Sequence, residues 1–304
     1  MNILGKRYIF FALSLILIVP GLVLLGIKGL PLSIDFTGGT LFEVSFEEGK
    51  TPDTAAILSI YDEAQVNDAQ VTATEDGSLI IRSSFLTNES RDVVLNALRD
   101  VSGSEVTVLK FDSVGPSIGA QVTQRAAIAV AVSSLLVVLF IIWSFRKVPN
   151  AFRYGVCAIL AMIHDIAIIL SITGIGAYFF SWEIDSLFLT ALLTVIGFSM
   201  QDTIVVFDRI RENSTILRRV EYETLVNHSI VQTLQRSINT QLMTVEFLLL
   251  ALAMFGGITL REFAIILLVG LLSGTYSSIF VAAPILVLWE KREWTTWFGR
   301  GANA

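Results

Sequence analysis

The stretch Val195–Asn213, VIGFSMQDTIVVFDRIREN, combines an apolar run with an acid inside it. Its first part is apolar enough to lie in a bilayer, and its last part carries the charges of a water interface. Asp202 lies within the apolar part, flanked by Gln201 and Thr203. An ionised carboxylate in hydrocarbon costs several kcal/mol unless it is partnered or protonated. The stretch therefore predicts a membrane helix that carries a functional acid.

The composition of the whole chain supports a membrane protein. Of the 304 residues 54% are hydrophobic and only 16% are charged, and the mean hydropathy is +0.70. These values exclude an ordinary soluble chain. The net charge of −6 is unevenly distributed, with acids concentrated between Pro31 and Asp112, which indicates membrane topology and no nucleic-acid partner. The single cysteine, Cys157, predicts neither a disulfide framework nor a metal or cofactor site.

Six apolar runs predict six membrane-spanning helices. Each is long enough to cross a bilayer, since about 20 residues of helix span about 30 Å. The predicted spans are Tyr8–Ile27, Ala126–Phe145, Tyr154–Phe180, Ile184–Phe207, Ile238–Phe255 and Phe263–Trp289. The first has no good small-x-small cleavage site after it, so we expect it to be an uncleaved span.

The basic residues orient these spans. Lysines and arginines collect near positions 6–7, 146–153, 209–219 and 291–292, whereas the short loop Ser181–Asp185 carries acids and no basic residue. The positive-inside rule then predicts that both termini are cytoplasmic. The predicted organisation is a first transmembrane helix over residues 1–30, an extracytoplasmic domain over 31–122, a five-helix bundle over 123–290 and a cytoplasmic tail over 291–304.

The long connection Pro31–Arg125 has the pattern of an α+β domain. A strand is predicted at Leu41–Phe46, and a helix follows with Thr51 as its cap and Pro52 at its first position. Two alternating strands surround Asp76-Gly77, and a second helix (NESRDVVLNALRD) and a last strand (EVTVLKF) complete the order βαββαβ. That order is typical of a ferredoxin-like sandwich. The segment contains no His and no Cys, so we expect a binding or coupling module with no catalytic centre.

Ionisable side chains inside spans are functional candidates by default. Asp202 lies about 8 Å inside the charged end of the fourth span. His164 and Asp165 fall near the middle of the third span, and their side chains should point about 100° apart. For both residues a structural and a functional role stay open.

The fifth predicted span begins with a polar stripe. Thr233, Arg236, Thr240 and Thr244 recur at helical spacing, and Glu246 lies deeper. An acid that alternates between protonated and ionised beside a movable arginine is a proton-coupling device. In the sixth span Gly270 and Gly274 form a G-x-x-x-G pattern that predicts close helix packing.

Several motifs resemble those of the SecF family of protein-export membrane subunits, which work with SecD beside the bacterial Sec channel and belong to the RND-type proton-driven superfamily. The resemblance covers nearly the whole chain in the right order. It rests on IDFTGG (34–39), VGPSIG (114–119), the His164-Asp165 pair, LLTVIGFSMQDTIVVFDRIREN (192–213), TLQRSINT (233–240) and GTYSSIF (274–280).

The resemblance implies an accessory subunit of the bacterial cytoplasmic (inner) membrane that uses proton motive force to promote late steps of polypeptide export. Its partners would be SecD, the Sec channel and the translocating polypeptide, and its helices would form half of an RND-type transporter. By this resemblance, proton-pathway roles pass to Asp202 and Arg236, and then to Asp165. Thr203 and Glu246 are further candidates from their positions in the spans, although an acid at the depth of Glu246 is not typical of the family. The family usually has Asn where Gln201 stands.

Three alternatives remain at this stage. An RND-type exporter of hydrophobic small molecules would share the buried acid and the outer domain. Asp165 and Asp202 on two spans could form an intramembrane aspartyl protease pair, although their flanking residues differ from that pattern. A passive scaffold for the channel would use its polar residues only for packing. The sequence does not distinguish H⁺ from Na⁺ as the coupling ion, and it leaves the complex's stoichiometry and the outer domain's contact with substrate open.

Overall fold

The computed structural model describes residues 3–47, 50–66, 68–74, 77–146, 151–241, 247–255 and 258–292. The chain divides into two compact units, one formed by Met1–Pro31 with Ala129–Ala304 and the other by Leu32–Ile128. We call them the helical unit and the α/β unit.

The α/β unit contains one antiparallel sheet with the strand order β2-β3-β1-β4. Two helices of ordinary length connect its strands, and a short helix precedes them. In chain order the elements are α2 (Ile34–Thr37), β1 (Gly39–Ser45), α3 (Thr54–Glu63), β2 (Gln70–Ala73), β3 (Leu79–Ser83), α4 (Asn88–Ser102) and β4 (Thr107–Val114). The prediction that a helix starts at Thr51 and Pro52 was wrong, because Asp53 occupies the N-cap position and α3 begins at Thr54.

The core of this unit comes from strands in which buried apolar residues alternate with more exposed ones. Phe42 and Val44 of β1 are fully buried, and the next strand in the sheet contributes Ile81. The helices add Ile57 and Tyr61 from α3, with Val94 and Leu98 from α4. One face of the sheet is therefore covered by the two helices, as period-2 and period-3.6 patterns require.

Two glycine-containing motifs of the sequence meet in the α/β unit. Gly38 and Gly39 both have positive φ, at 72° and 124°. A Cβ on Gly39 would lie 2.7 Å from the Ser83 carbonyl oxygen, and one on Gly119 would lie 2.7 Å from the Gly38 nitrogen. Side chains are excluded at these points because backbone meets backbone. The IDFTGG and VGPSIG motifs thus form one tightly packed corner.

The long apolar helices belong to the helical unit, except for the first part of α5, up to Ile128, which belongs to the α/β unit. They are α1 (Arg7–Lys28), α5 (Pro116–Phe145), α6 (Ala151–Phe180), α7 (Ser186–Ile216), α8 (Tyr222–Gln241), α9 (Phe247–Phe255), α10 (Ile258–Ser277), a π-helical turn (Ser278–Ala282) and α11 (Ala283–Lys291). Within the described residues five stretches are long and apolar enough to cross a membrane: Leu4–Lys28, Pro116–Phe145, Ala151–Phe180, Ser186–Ile216 and Leu260–Lys291.

The predicted span Ile238–Phe255 is not among these five stretches. Its residues fall on the end of α8, on α9, and on positions 242–246, which lie outside the described residues. The other five predicted spans each coincide with one of the five stretches, although α5 begins ten residues earlier than the predicted Ala126.

Close helix contacts in the helical unit depend on glycine. A Cβ on Gly21 of α1 would lie 2.0 Å from the Ser171 carbonyl oxygen of α6, and one on Gly174 would lie 2.6 Å from the Gly21 carbonyl oxygen. The Ser171 hydroxyl donates to the Leu17 carbonyl at 2.6 Å. Small residues with a hydroxyl between them are the usual means of joining helices in a membrane. Helix α1 is thereby fixed against α6.

Candidate functional site

The Asp165 carboxylate is the most completely bonded acid in the described part of the helical unit. It lies on α6 with 1% of its surface exposed. Oδ2 accepts hydrogen bonds from Ser199 (2.5 Å) and Ser277 (2.6 Å), and Oδ1 accepts one from Ser273 (2.6 Å). His164 Nδ1 lies 3.1 Å from the same Oδ1. Four polar groups therefore surround one carboxylate, which is the condition for keeping a charge away from water.

Asp202 occupies a second polar centre on α7. It is 5% exposed, and its Oδ2 accepts from Gln241 Nε2 and from Thr275 Oγ1, each at 3.2 Å. Both donors are neutral, and they come from α8 and α10. Asp202 therefore has two polar partners, whereas Asp165 has four. The two acids therefore have different environments despite lying in adjacent helices.

Helix α10 contacts both acids through alternate hydroxyls. Ser273 and Ser277 face Asp165, whereas Thr275 faces Asp202. Residues two apart lie on different sides of a helix, so this single helix separates the two centres and bonds to each. The sequence analysis missed these hydroxyls as acid ligands, although the signal was present in the alternating Ser-x-Thr-x-Ser of SGTYS.

Gly270 and Gly274 lie where α10 approaches α7. A Cβ on Gly270 would meet Val195 Cγ2 at 2.4 Å, and one on Gly274 would meet Ser199 Cβ at 3.0 Å. The G-x-x-x-G pattern thus coincides with the point at which Ser199 of α7 and the serines of α10 converge on Asp165. Close approach is what allows short serine side chains to reach that carboxylate.

Arg236 lies near Asp202 but does not bind it. The two residues are both described, and no nitrogen–oxygen contact within 4.0 Å joins them, although the arginine charge acts on the carboxylate electrostatically. The Arg236 side chain lines a groove of 720 Å³ whose other walls come mainly from α5 and α7. This apolar groove includes the polar side chains Ser133 and Gln201. The direct acid–arginine pair imagined from the sequence is absent from this conformation.

The buried face of α8 differs from the predicted stripe. Thr233, Ser237 and Gln241 are buried, whereas Arg236 and Thr240 are exposed and Thr244 lies outside the described residues. The three buried residues are four positions apart, so they lie on the same face of α8. Gln241, the last residue of this buried set, is the one that donates to Asp202.

Two further predicted residues contribute differently. Thr203 is fully buried, and its hydroxyl donates to the Ser199 carbonyl of its own helix at 3.1 Å, so its proton is not directed at a carboxylate. Glu246 lies outside the described residues. Within the described ranges no group of three or more His, Cys, Asp or Glu side chains could hold a metal ion.

His164 connects the Asp165 centre to α1. Its Nε2 lies 2.9 Å from Ser14 Oγ, and its ring stacks on Tyr276 with the centroids 6.0 Å apart. His164 thus contacts α1 through Ser14 and α10 through Tyr276, and Asp165 contacts α7 and α10, so the two adjacent side chains share α10 as a neighbour. The two side chains are also bonded to each other, which the sequence analysis did not foresee.

A bundle of apolar helices around a centre of acids and hydroxyls defines a polytopic membrane protein with a polar interior. Comparison with known proteins specifies the class further. The family described as protein export membrane protein SecD/SecF, C-terminal, matches residues 93–292, and the SecD/SecF GG motif matches residues 23–50, which include the Gly38-Gly39 corner.

Individual relatives agree with these matches. The protein translocase subunit SecF of Anaerolinea thermophila is 60% identical over 100% of this chain and 98% of that relative. The protein translocase subunit SecDF of Thermus thermophilus is 35% identical over 96% of this chain and 39% of that relative. The crystal structure of SecDF from Thermus thermophilus superposes with a TM-score of 0.79 and 34% identity, over 96% of this chain and 39% of that one.

The chain belongs to the SecD/SecF family of protein export membrane proteins, in its SecF branch. It is a multi-pass protein of the bacterial inner membrane. It spans about two-fifths of the SecDF chain, so in that relative a further region accompanies the part to which this chain corresponds.

Proposed function

We propose that this chain is an accessory subunit of the Sec protein-export machinery that uses proton motive force to promote late steps of polypeptide translocation. Family membership supports the export role, since relatives over the full length are protein translocase subunits. The chemistry of the Asp202 centre supports the coupling to protons. Family membership also favours polypeptide over the hydrophobic small molecules of the alternative exporter.

The partner is a second, SecD-type half. In the Thermus thermophilus relative the region matched by this chain is 39% of a longer chain named SecDF, so SecD supplied as a separate chain would complete the assembly here. RND-type transporters pair two such halves about a pseudo-two-fold axis. The further partners are the Sec channel and the translocating polypeptide.

The topology that we propose has six spans and both termini in the cytoplasm. The span that is added to the five long apolar stretches is the fifth in chain order, Ile238–Phe255, to which the end of α8 and α9 contribute. Basic residues near the ends of the helices, including Arg7, Arg153, Arg209 and Lys291, support this orientation. The domain of residues 31–122 is then extracytoplasmic. Its strand order, β4-β1-β3-β2 when listed from the other edge, supports a ferredoxin-like domain.

Asp202 is the residue that binds and releases the proton. The observation that carries this role is a buried carboxyl held by two neutral donors from two other helices, with Arg236 nearby and out of contact. When Asp202 is ionised, it accepts from Gln241 and Thr275 and attracts the arginine. When it is protonated, its O–H becomes a donor and that attraction is lost.

Gln241 supplies a partner for the protonated state. Its Oε1 is buried and has no hydrogen-bond partner among the described residues. A protonated Asp202 carries an O–H that this oxygen accepts once the amide turns over, because an amide presents a donor on one side and an acceptor on the other. Loading and unloading of a proton would then reorient a side chain of α8 and release or attract Arg236.

The test is export in inverted membrane vesicles that contain this chain with its SecD partner. A trapped export intermediate is completed with and without an imposed proton gradient, and the wild type is compared with Asp202→Asn. We expect the gradient to accelerate completion in the wild type and to have no effect in the variant. A matched sodium gradient with a protonophore present identifies the coupling ion.

The matched control is Asp208→Asn. Asp208 lies on the same helix with 57% of its side chain exposed, and it pairs with Arg211 at 2.5 Å. This variant should respond to the gradient as the wild type does. If Asp202→Asn also responds normally, Asp202 is structural and the protein acts as a scaffold or uses another acid.

A further inference from the structure

The short loop Ser181–Asp185 joins α6 to α7 and is bonded to four different parts of the helical unit. Its backbone turns back at Ser181, whose φ is 56°. This left-handed conformation costs energy for a residue with a side chain, and it persists where surrounding contacts fix it. Those contacts come from residues 182–185, each of which is bound to a different element. The loop is therefore a junction within the helical unit.

The two ends of the loop are anchored on the helices that it joins. At one end the Trp182 ring lies against α6, since a Cβ on Gly176 would meet its Cε3 atom at 2.2 Å. The Trp182 amide also donates to the Gly176 carbonyl at 3.3 Å. At the other end the Asp185 side chain caps α7 by accepting from the Phe188 amide at 2.7 Å. These contacts fix where the loop starts and where it ends.

The middle of the loop makes two hydrogen bonds through successive backbone amides. The Glu183 amide donates to Oε1 of Glu262 at 3.1 Å, and Glu262 lies in the second turn of α10. The Ile184 amide donates to the Pro31 carbonyl at 2.7 Å, and the Ile184 side chain is buried. Because the two amides are joined by a rigid peptide plane, a change at one bond moves the donor of the other.

Pro31 is the last residue of the helical unit before the chain enters the α/β unit. Helix α1 ends at Lys28, so only residues 29–31 connect that helix to the α/β unit. The carbonyl at the end of this connection is the one that the loop binds. The position of the loop therefore acts on the chain at the point where the α/β unit begins.

Helix α10 carries Glu262 near one end and ligands of both buried acids near the other. The hydroxyls that bond to the two acids begin at Ser273, about 16 Å along the helix from Glu262. The helix is continuous between these positions. Packed helices shift as rigid bodies, so a shift of α10 that changes the acid ligands also displaces the Glu262 carboxylate.

From these contacts we propose that the Ser181–Asp185 loop is a latch between α10 and the chain segment that enters the α/β unit, with Glu262 as its positioning residue. In the present position of α10, Glu262 fixes the middle of the loop, and the loop fixes Pro31. When α10 shifts relative to α6 and α7, the anchored ends of the loop stay in place. The bond between Glu262 and the Glu183 amide then breaks, and Pro31 is released. In its functional part this proposal rests on the proposed proton-driven role of Asp202.

The latch is tested by amide hydrogen exchange of the full-length protein in lipid nanodiscs, resolved at the Glu183 and Ile184 amides. Glu262→Ala removes the acceptor of the Glu183 amide, and exchange there should be about tenfold faster, the effect of losing a hydrogen bond to a charged group. The Ile184 amide should also exchange faster, because α10 no longer holds its peptide against Pro31. Unchanged protection of Ile184 would show that Pro31 is held independently of α10 and would overturn the proposal.

Two substitutions on α10 serve as controls. Glu262→Gln keeps an oxygen acceptor in the same place and should preserve the protection of both amides, and a loss of protection here would also overturn the proposal. Arg261→Ala, at the neighbouring exposed position, should leave both amides unchanged. Should Glu262→Ala fail to fold, Glu262→Asp withdraws the carboxylate from the Glu183 amide by one methylene group and should cause the same loss of protection.

The functional part is tested by export in the inverted vesicles, read as the ratio of completion rates with and without the proton gradient. Glu262→Ala should lose most of the acceleration by the gradient while its rate without the gradient changes much less, and Glu262→Gln should retain the acceleration. A purely structural defect would lower both rates in proportion. A wild type that does not respond to the gradient contradicts the proposed function at Asp202. Equal acceleration in the wild type and in Glu262→Ala contradicts the latch alone.

Discussion

The α/β unit and the helical unit place charge and apolar surface in opposite ways. Among the described residues the two buried carboxyl side chains, Asp165 and Asp202, are both in the helical unit, whereas the core of the α/β unit is built from apolar residues such as Phe42 and Ile81. The long helices also expose large apolar side chains, for example Ile16 at 67%.

This difference follows from the medium around each unit. In water, burying apolar area stabilises a fold by about 25 cal/mol per Å², so the α/β unit is held by its core. In a bilayer the exterior is as apolar as the interior, and helices associate through close packing and polar bonds. The first unit should therefore be sensitive to loss of core volume, and the second to loss of close contact.

The largest effect should come from removing core volume in the α/β unit. Phe42 is fully buried and packs edge to face on Phe111 with the centroids 5.3 Å apart. Phe42→Ala should lower the free energy of unfolding of this unit by about 3–5 kcal/mol, measured as amide hydrogen exchange of β1 and β3 in the full-length protein. Phe85→Ala, at a side chain that is 43% exposed, should cost markedly less. If both variants lost the same free energy of unfolding, the stability of this unit would not depend on its buried core.

Next in size is the loss of helix contact in the helical unit. Gly21→Ala places a methyl group 2.0 Å from the backbone oxygen of Ser171, which neither side can avoid without separating α1 from α6. The expected cost is at the upper end of about 1–3 kcal/mol, measured by unfolding in mixed detergent micelles. Gly26→Ala on the same helix meets nothing within 4 Å and should be neutral. A neutral Gly21→Ala would mean that the α1–α6 contact is dispensable.

A helix cap in the α/β unit should have a smaller effect. Thr87 accepts a hydrogen bond from the Ser90 amide at 3.2 Å at the start of α4. Thr87→Ala should destabilise this unit by about 1 kcal/mol, seen as faster exchange in the first turn of α4. Thr87→Ser keeps the hydroxyl and should preserve the protection. Faster exchange in the serine variant as well would point to the lost methyl group.

The smallest expected effect on stability comes from the ion pairs that join Glu223 to Lys291 and Arg7. Glu223 at the start of α8 bonds to Lys291 and pairs with Arg7 at 3.2 Å. Lys291 first, and then Arg7, hold the pKa of Glu223 below its ordinary value. A lowered folded-state pKa stabilises the protein above the unfolded-state pKa of about 4.5, and this stabilisation is lost as pH falls further.

For this partly exposed cluster we expect about 0.2–1 kcal/mol. Glu223→Gln should remove the corresponding part of the pH dependence of unfolding between about pH 5 and pH 3, with Glu212→Gln, in a half-exposed i,i+3 pair, as the comparison. An unchanged pH profile in Glu223→Gln would show that the cluster contributes no stability.

Most of the long helices and the strands could be predicted from the sequence, because apolar runs and the alternation of apolar and polar residues are local signals. The start of α3 was misplaced because Thr51, Pro52 and Asp53 all favour a helix start, and only the folded backbone selects among them. Asp202 was singled out because an acid is costly in a membrane, and the structure buries it beside polar side chains of other helices. Its ligand Gln241 could not be predicted, since that contact depends on how α7 and α8 pack, whereas Thr275 left a signal in the alternating hydroxyls of SGTYS.

The π-helical turn at Ser278–Ala282 lies directly after the serine that binds Asp165. Such a turn contains one residue more than an α-helical turn. Moving it by one turn along the chain rotates the side chains it passes by about 100°, with little loss of backbone hydrogen bonding. A shift of this turn toward Ser273 would therefore change which hydroxyls of α10 face each acid while the helix itself stays intact.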